Sequence, residues 1–135
     1  MNPIKEAVRF CKDRNLDKQE FNYKVMMLNF LEELVETTGL ESSDARKVAE
    51  EIFQKYFENK LIVDKELLLD TITDIRVFAI DSTLKLGYNP ECALLEVAKE
   101  INSRTGKIVD GKFVKDKSPE AKARWYKANF KKCLI

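Results

Sequence analysis

Residues 42–57, SSDARKVAEEIFQKYF, decide the fold class. Ala45, Val48, Ala49, Ile52, Phe53, Tyr56 and Phe57 follow the i, i+3, i+4, i+7 spacing, and charged or polar residues fill the gaps. That period is helical; a half-buried strand would alternate. Ser42 or Ser43 supplies the cap, and Asn59-Lys60 marks the end.

The segments on either side read the same way. Upstream, Asp17-Lys18-Gln19-Glu20 has capping-box spacing and opens a helix expected to reach Thr38, with Gly39 as its stop. Downstream, Asp64 opens a helix to about Leu86, with Gly87 as its stop. Both carry apolar residues around most of their circumference, so both are expected to be covered on most sides. Asn2-Pro3 and Asn89-Pro90 each set a cap before a proline, predicting two more helices. The first ends at the Asn15-Leu16 break and the second near Arg104-Thr105-Gly106. Alternation around Asp110-Gly111 in KIVDGKFVK predicts a small hairpin. Ser118-Pro119 then opens a last helix bearing Trp125, Tyr126 and Phe130.

The expectation is an all-α bundle of about five to six helices in one domain, residues 1–135. A helical body (1–105) is followed by a short, hairpin-like basic arm (106–135). Two helices that are apolar nearly all round exceed what one small bundle can cover, so a homodimer or homotetramer is expected.

Composition narrows the chemistry. The 135 residues include no histidine. Ser-His-Asp and Cys-His catalysis are therefore excluded, as are Cys/His zinc sites. A general base must be a carboxylate, a lysine, a tyrosine or water. Cys11, Cys92 and Cys133 are odd in number and form no C-x-x-C pair, which reads as free thiols in a reducing compartment. The N-terminal stretch has no long apolar run, so no signal peptide or membrane span is expected. Together these point to the cytoplasm. The net charge is only +1. It conceals a division: residues 17–98 hold 9 Lys/Arg against 17 Asp/Glu, net −8, and residues 99–132 hold 11 against 4, net +7.

Acids stand inside the two most apolar helices. Glu32, Glu33 and Glu36 lie at helical spacing on one, and Asp70 and Asp74 at i, i+4 on the other. If these helices pack antiparallel, four or five carboxylates converge in one cleft. Burying them as anions costs several kcal/mol each unless a cation neutralises them. Oxygen ligands alone select a hard ion, Mg²⁺ or Mn²⁺. The plainer alternative is that the acids are solvated or paired with Arg76 or Lys65.

LEELVE at 31–36 resembles the EExxE signature of the all-α nucleoside triphosphate pyrophosphohydrolases, which include MazG-like proteins, dimeric dUTPases and phosphoribosyl-ATP pyrophosphohydrolase. LLLDTITDIRVFAIDSTLKLGYNPECALLEV at 67–97 resembles the second half of that family, and INSRTGKIVDGKFVKD at 101–116 is similar to a segment of its phage-type MazG-like members. The likeness covers roughly residues 17–130. It departs from the family's ExxD: Thr71 stands three before Asp74, so Asp70 takes the place of the expected glutamate. A whole helix also separates the two acidic motifs, which is nearer the dUTPase-like subgroup. Asp81 stands where related sequences often have glycine.

The resemblance implies a nucleoside triphosphate as partner, hydrolysed to the monophosphate and pyrophosphate by water attack at the α-phosphorus. It implies Mg²⁺, with Mn²⁺ as substitute, on Glu33, Glu36, Asp70 and Asp74. Glu32 and Glu33 are the catalytic carboxylates, Glu32 being the spare group to orient or deprotonate water. Arg104, Lys107, Lys112 and Lys115 are candidates to counter the phosphate charge. Asn102 could hydrogen-bond sugar or phosphate, Asn29 lies among residues that shape the pocket, and Trp125 or Tyr126 offers a stacking face worth roughly 1–3 kcal/mol. Two rival expectations stand beside this: a non-enzymatic helical interaction module, and a nucleic-acid-binding arm at 99–132. The second leaves the acids unexplained, and neither nucleic acid nor a membrane is the expected partner.

Overall fold

The structure is a computed structural model that describes residues 1–59 and 64–135. Lys60, half of the expected stop signal, lies outside them. Six helices and one hairpin occur among the described residues: α1 (Pro3–Asp13), α2 (Tyr23–Glu36), α3 (Ser42–Tyr56), α4 (Lys65–Lys85), α5 (Pro90–Asn102), β1 (Gly106–Val109), β2 (Lys112–Lys115) and α6 (Pro119–Lys122). Short 3₁₀ turns sit at Leu16–Lys18 and Phe130–Cys133. The mostly helical class is as expected. Among the described residues no helix is long and apolar enough to cross a membrane.

Two helix pairs carry the packing. α2 lies on α3, where Leu28, Ala49 and Phe53 are buried and Tyr23, Met27, Leu31 and Phe57 close over them. Ala45 and Ala49 are fully buried, because small side chains at i, i+4 let the two backbones approach. α1 lies on α5, and Arg14 fastens that pair. Its Nη2 donates to the carbonyls of Ile101, Asn102 and Arg104, satisfying the last turn of α5. The same guanidinium stands 4.2 Å from the Phe10 ring and 4.9 Å from that of Phe113, so it also ties in the hairpin.

The hairpin turns at Asp110-Gly111, both with positive φ (50° and 78°), as a two-residue turn between twisted strands requires. At its base a Cβ on Gly106 would run into the Val114 carbonyl, so only glycine fits.

Three expectations are corrected. The helix expected from Asp17 starts at Tyr23: Asn22 accepts from the Val25 N–H and caps it, and Leu16–Lys18 forms its own 3₁₀ turn. The last helix stops at Lys122, and Trp125 and Tyr126 lie in an irregular strap. Side chains on α5 take the strap's polar groups, so it needs no helical bonds of its own. Cys92 and Cys133 are not free thiols but a disulfide; only Cys11 is free. Asn89 N–H donates to the Cys133 carbonyl and Tyr88 bridges Leu134, which brings the two Cα atoms to 5.4 Å. Closing a loop across 41 residues stabilises the fold by about 4 kcal/mol in the chain-entropy picture.

Glu96, 1% exposed, holds the strap. It accepts from the Tyr126 hydroxyl (2.5 Å) and the Asn129 N–H (2.9 Å), and pairs with Lys132 (2.9 Å) and Lys99 (3.3 Å). The Tyr126 hydroxyl, then Lys132, draw its carboxyl from 4.5 down to about 2; burial opposes them, and Asn129 and Lys99 add to the pull. A carboxyl depressed in the folded state contributes stability above its unfolded value and loses it on acidification. The strap is therefore expected to loosen between pH 4.5 and about 2. Fluorescence of the single tryptophan, Trp125, followed against pH checks this. Glu96→Gln should flatten the transition; an unchanged curve in that variant would assign it elsewhere.

Candidate functional site

Glu32, Glu33 and Glu36 form one cluster, each offering a carboxylate oxygen within 4.8 Å of the others. The turn of α2 sets this: i, i+3 and i, i+4 side chains share a face. Their surroundings differ. Glu32 is buried and paired with Lys112 of β2, Glu36 is half-buried, and Glu33 reaches solvent. Loss of water raises the Glu33 carboxyl above its ordinary value. Glu36 raises it further, Lys112 opposes, Glu32 adds and Lys115 opposes. Such a group gains from a cation.

The basic arm meets this cluster from the hairpin side. Lys112 grips Glu32, and Lys115, on the other face of β2 and partly buried, is near enough to Glu33 and Glu36 for their charges to act on one another. Burial lowers the Lys115 ammonium first, then Arg104 and Lys117, with Glu100 and Glu36 working against them. An anion between these cations would relieve their repulsion. Arg104 and Lys115 stand 5.4 Å and 5.5 Å from the Trp125 ring centroid, so a base stacking there competes with cations already in place. Beside Glu36 a shallow groove of about 500 Å³ is lined by Gly39, Leu40, Glu41, Ser42, Ser43 and Lys117. Glu41 gives the α3 amides no side-chain cap, so the helix start facing this groove keeps N–H groups for an anion.

The remaining expected site residues are dispersed. Asp70 and Asp74 are exposed on α4, outside the glutamate cluster. Among the described residues α4 has only slight contact with α5 and does not pack on α2, so the acid convergence expected of one chain does not form within it. Asn29 accepts from Arg46 at 3.0 Å. Asn102 donates to the carbonyls of Glu6 and Ala98, which makes it a fastener between α1 and α5. Arg104 pairs with Glu100, Tyr126 serves Glu96, and Lys107 is exposed on β1. The Arg104 Nε, Trp125 Nε1 and Asn102 Oδ1 atoms are buried with no partner among the described residues.

Sequence reasoning missed Glu96 and Glu100, the anchors of the strap, and the groove at the start of α3. The i, i+4 spacing of Glu96 and Glu100 was the available signal. No family model, no curated protein and no solved structure matches the chain.

Proposed function

We propose that the protein is an enzyme that hydrolyses a nucleoside triphosphate to the monophosphate and pyrophosphate with the help of Mg²⁺. The observation that supports it best is the juxtaposition on one face of three glutamates, the Lys112–Lys115 strand and the uncapped start of α3. Acids that gain from a cation lie beside cations that gain from an anion, and a metal-complexed polyphosphate supplies both. The resemblance of residues 31–36 and 67–97 to the all-α pyrophosphohydrolases favours the same substrate.

All-oxygen donors fit Mg²⁺ or Mn²⁺. Glu33 and Glu36 would hold the ion; Asp70 and Asp74 stand outside the cluster. When bound, Mg²⁺ neutralises phosphate charge and makes a nearby water more acidic. Lys115, Lys117 and the Ser42 and Ser43 amides orient the phosphates. Glu32, buried and held by Lys112, is an anchor for the hairpin rather than a free base, so Glu33 is the better acceptor for a water proton. The nucleotide pool places such an enzyme in the cytoplasm. That placement rests on the substrate alone, since the Cys92–Cys133 bond by itself argues for an oxidising compartment.

The test is pyrophosphate release from a panel of canonical and modified nucleoside triphosphates with Mg²⁺. One or a few nucleotides should be cleaved, and chelation should stop it. No release from any of them would sink the proposal. Salt-sensitive self-association without metal dependence would favour an interaction module, and a salt-dependent shift of DNA or RNA would favour a nucleic-acid arm.

A further inference from the structure

The basic arm gathers its cations around one indole. The Arg104 guanidinium carbon stands 5.4 Å and the Lys115 ammonium 5.5 Å from the centroid of the Trp125 ring. Lys117 is near enough for its charge to act on Lys115. Counter-charge is short. Arg104 pairs with Glu100, whose other oxygen accepts the Ala128 N–H, so that carboxylate is already committed. Asp116, between the two lysines, accepts from the Ser118 N–H and shapes the turn before α6. Neither Lys115 nor Lys117 forms an ion pair among the described residues. The hydrogen bonds show the same bias. Arg104 Nε and Trp125 Nε1 are buried donors without an acceptor among the described residues. Folded proteins keep few such groups, because each forfeits its bond to water and gains none in return. What this place lacks is a negatively charged acceptor.

We propose that Arg104, Lys115, Lys117 and the Trp125 indole N–H form a site for the pyrophosphate group, first as the β and γ phosphates of the nucleotide and then as the leaving product. The inference rests on the polyphosphate reading above and names the part of the ligand these residues hold. In that reaction water adds to the α-phosphorus and the bond from it to the α–β bridging oxygen breaks. Pyrophosphate leaves with that oxygen and its electron pair, and Glu33 takes the water proton. Phosphate oxygens at this stage are acceptors only. A terminal phosphate carries about two negative charges, which answers the two lysines that lack a partner. A nucleic-acid backbone fits less well: it carries one charge per phosphate and asks for cations strung along a groove, whereas these converge on one side chain. The position also suits the reaction, since Lys115 acts on both Glu33 and Glu36 and the site adjoins the glutamate cluster. Arg104 Nε and Trp125 Nε1 are covered as the strap lies, so a ligand that takes them moves the indole. Trp125 is the single tryptophan, and its fluorescence reads the site directly.

Inorganic pyrophosphate is the probe. It is titrated into the full chain with EDTA present and ionic strength held constant with sodium chloride, while Trp125 fluorescence is followed and calorimetry measures affinity. A saturable change is expected. No saturation, or the same response to chloride alone, overturns the inference. Lys115→Met should weaken pyrophosphate about tenfold or more, the worth of one charge-assisted contact, and Lys117→Gln by a smaller factor. Neither lysine holds an ion pair, so circular dichroism should show both variants folded. Unchanged affinity in both variants overturns the site. A single-stranded oligonucleotide is the competitor. If it binds more tightly than pyrophosphate and displaces it, the cations serve a nucleic-acid arm and the inference fails. Pyrophosphate binding that Lys115→Met weakens, in a protein that hydrolyses no nucleotide, sinks the functional reading and leaves this site standing. Nucleotide hydrolysis by a protein whose Trp125 does not respond to pyrophosphate does the reverse.

Discussion

Glu36→Gln is expected to lower pyrophosphate release by about 10³-fold or more while leaving the helical content unchanged. Glu36 is the half-buried member of the cluster, and it borders both Glu33 and the groove at the start of α3. A metal in such a site supplies several kcal/mol of charge stabilisation, and each 1.36 kcal/mol is a factor of ten. Losing a ligand charge is therefore worth about three decades. The sign of the stability change separates this role from a structural one. Glu36 raises the Glu33 carboxyl by repulsion, so removing its charge relieves strain in the metal-free protein. Thermal melting without metal should stay level or rise slightly, and the rise that added Mg²⁺ gives the wild type should vanish. A melting temperature that falls with turnover intact would place Glu36 in the scaffold.

Lys112→Met is expected to cost about 3–5 kcal/mol of stability without metal, because it leaves the buried Glu32 carboxylate unpaired. The side chain keeps its apolar length, so the loss reports charge. It also frees the hairpin, since Lys112 is its tie to α2. Denaturant titration measures the cost. Mg²⁺ should restore part of it in the variant, as a second cation reaches the same three glutamates. The double change Lys112→Met with Glu32→Met, which removes both charges, should recover most of the stability. If the single variant is as stable as wild type, Glu32 is better solvated than its 3% exposure implies.

Local signals in the sequence were accurate at the Asn-Pro starts, the α3 stripe and the hairpin. They were not at two helix caps: Asn22 rather than Asp17 caps α2, and neither Ser42 nor Ser43 caps α3, whose first residue is Ser42 itself after an uncapped Glu41. Asn2 and Asn89 accept from the amides two or three residues on, as the Asn-Pro pairs implied. Ala45, Ala49 and Phe53 are the buried stripe of α3, and Asp110-Gly111 makes the hairpin. The glutamate cluster was equally legible, since the pitch of one helix fixes it. What the sequence could not show depends on partners far along the chain. Lys112 and Glu32 are 80 residues apart, and Cys92 and Cys133 are 41 apart. The strap containing Trp125 and Tyr126 had a helical start signal but too few apolar positions to need a helix. Hydrogen bonds to Glu96 and Glu100 supplied what the helix would have. Asp70 and Asp74 depended on a packing choice. Whether α4 lies against α2 or away from it is invisible to periodicity, because both arrangements ask for the same stripe.

The Cys92–Cys133 bond has a topological meaning for the basic arm. Every residue from Lys99 to Lys132 lies inside the closed loop, including the hairpin and the strap. The arm is thus a ring hung from α5 and not a tail. A protease that cuts at one of its exposed lysines opens the ring without releasing either piece. Both clamps on Glu96 and Glu32 can then survive a single cut, until a reductant separates the halves.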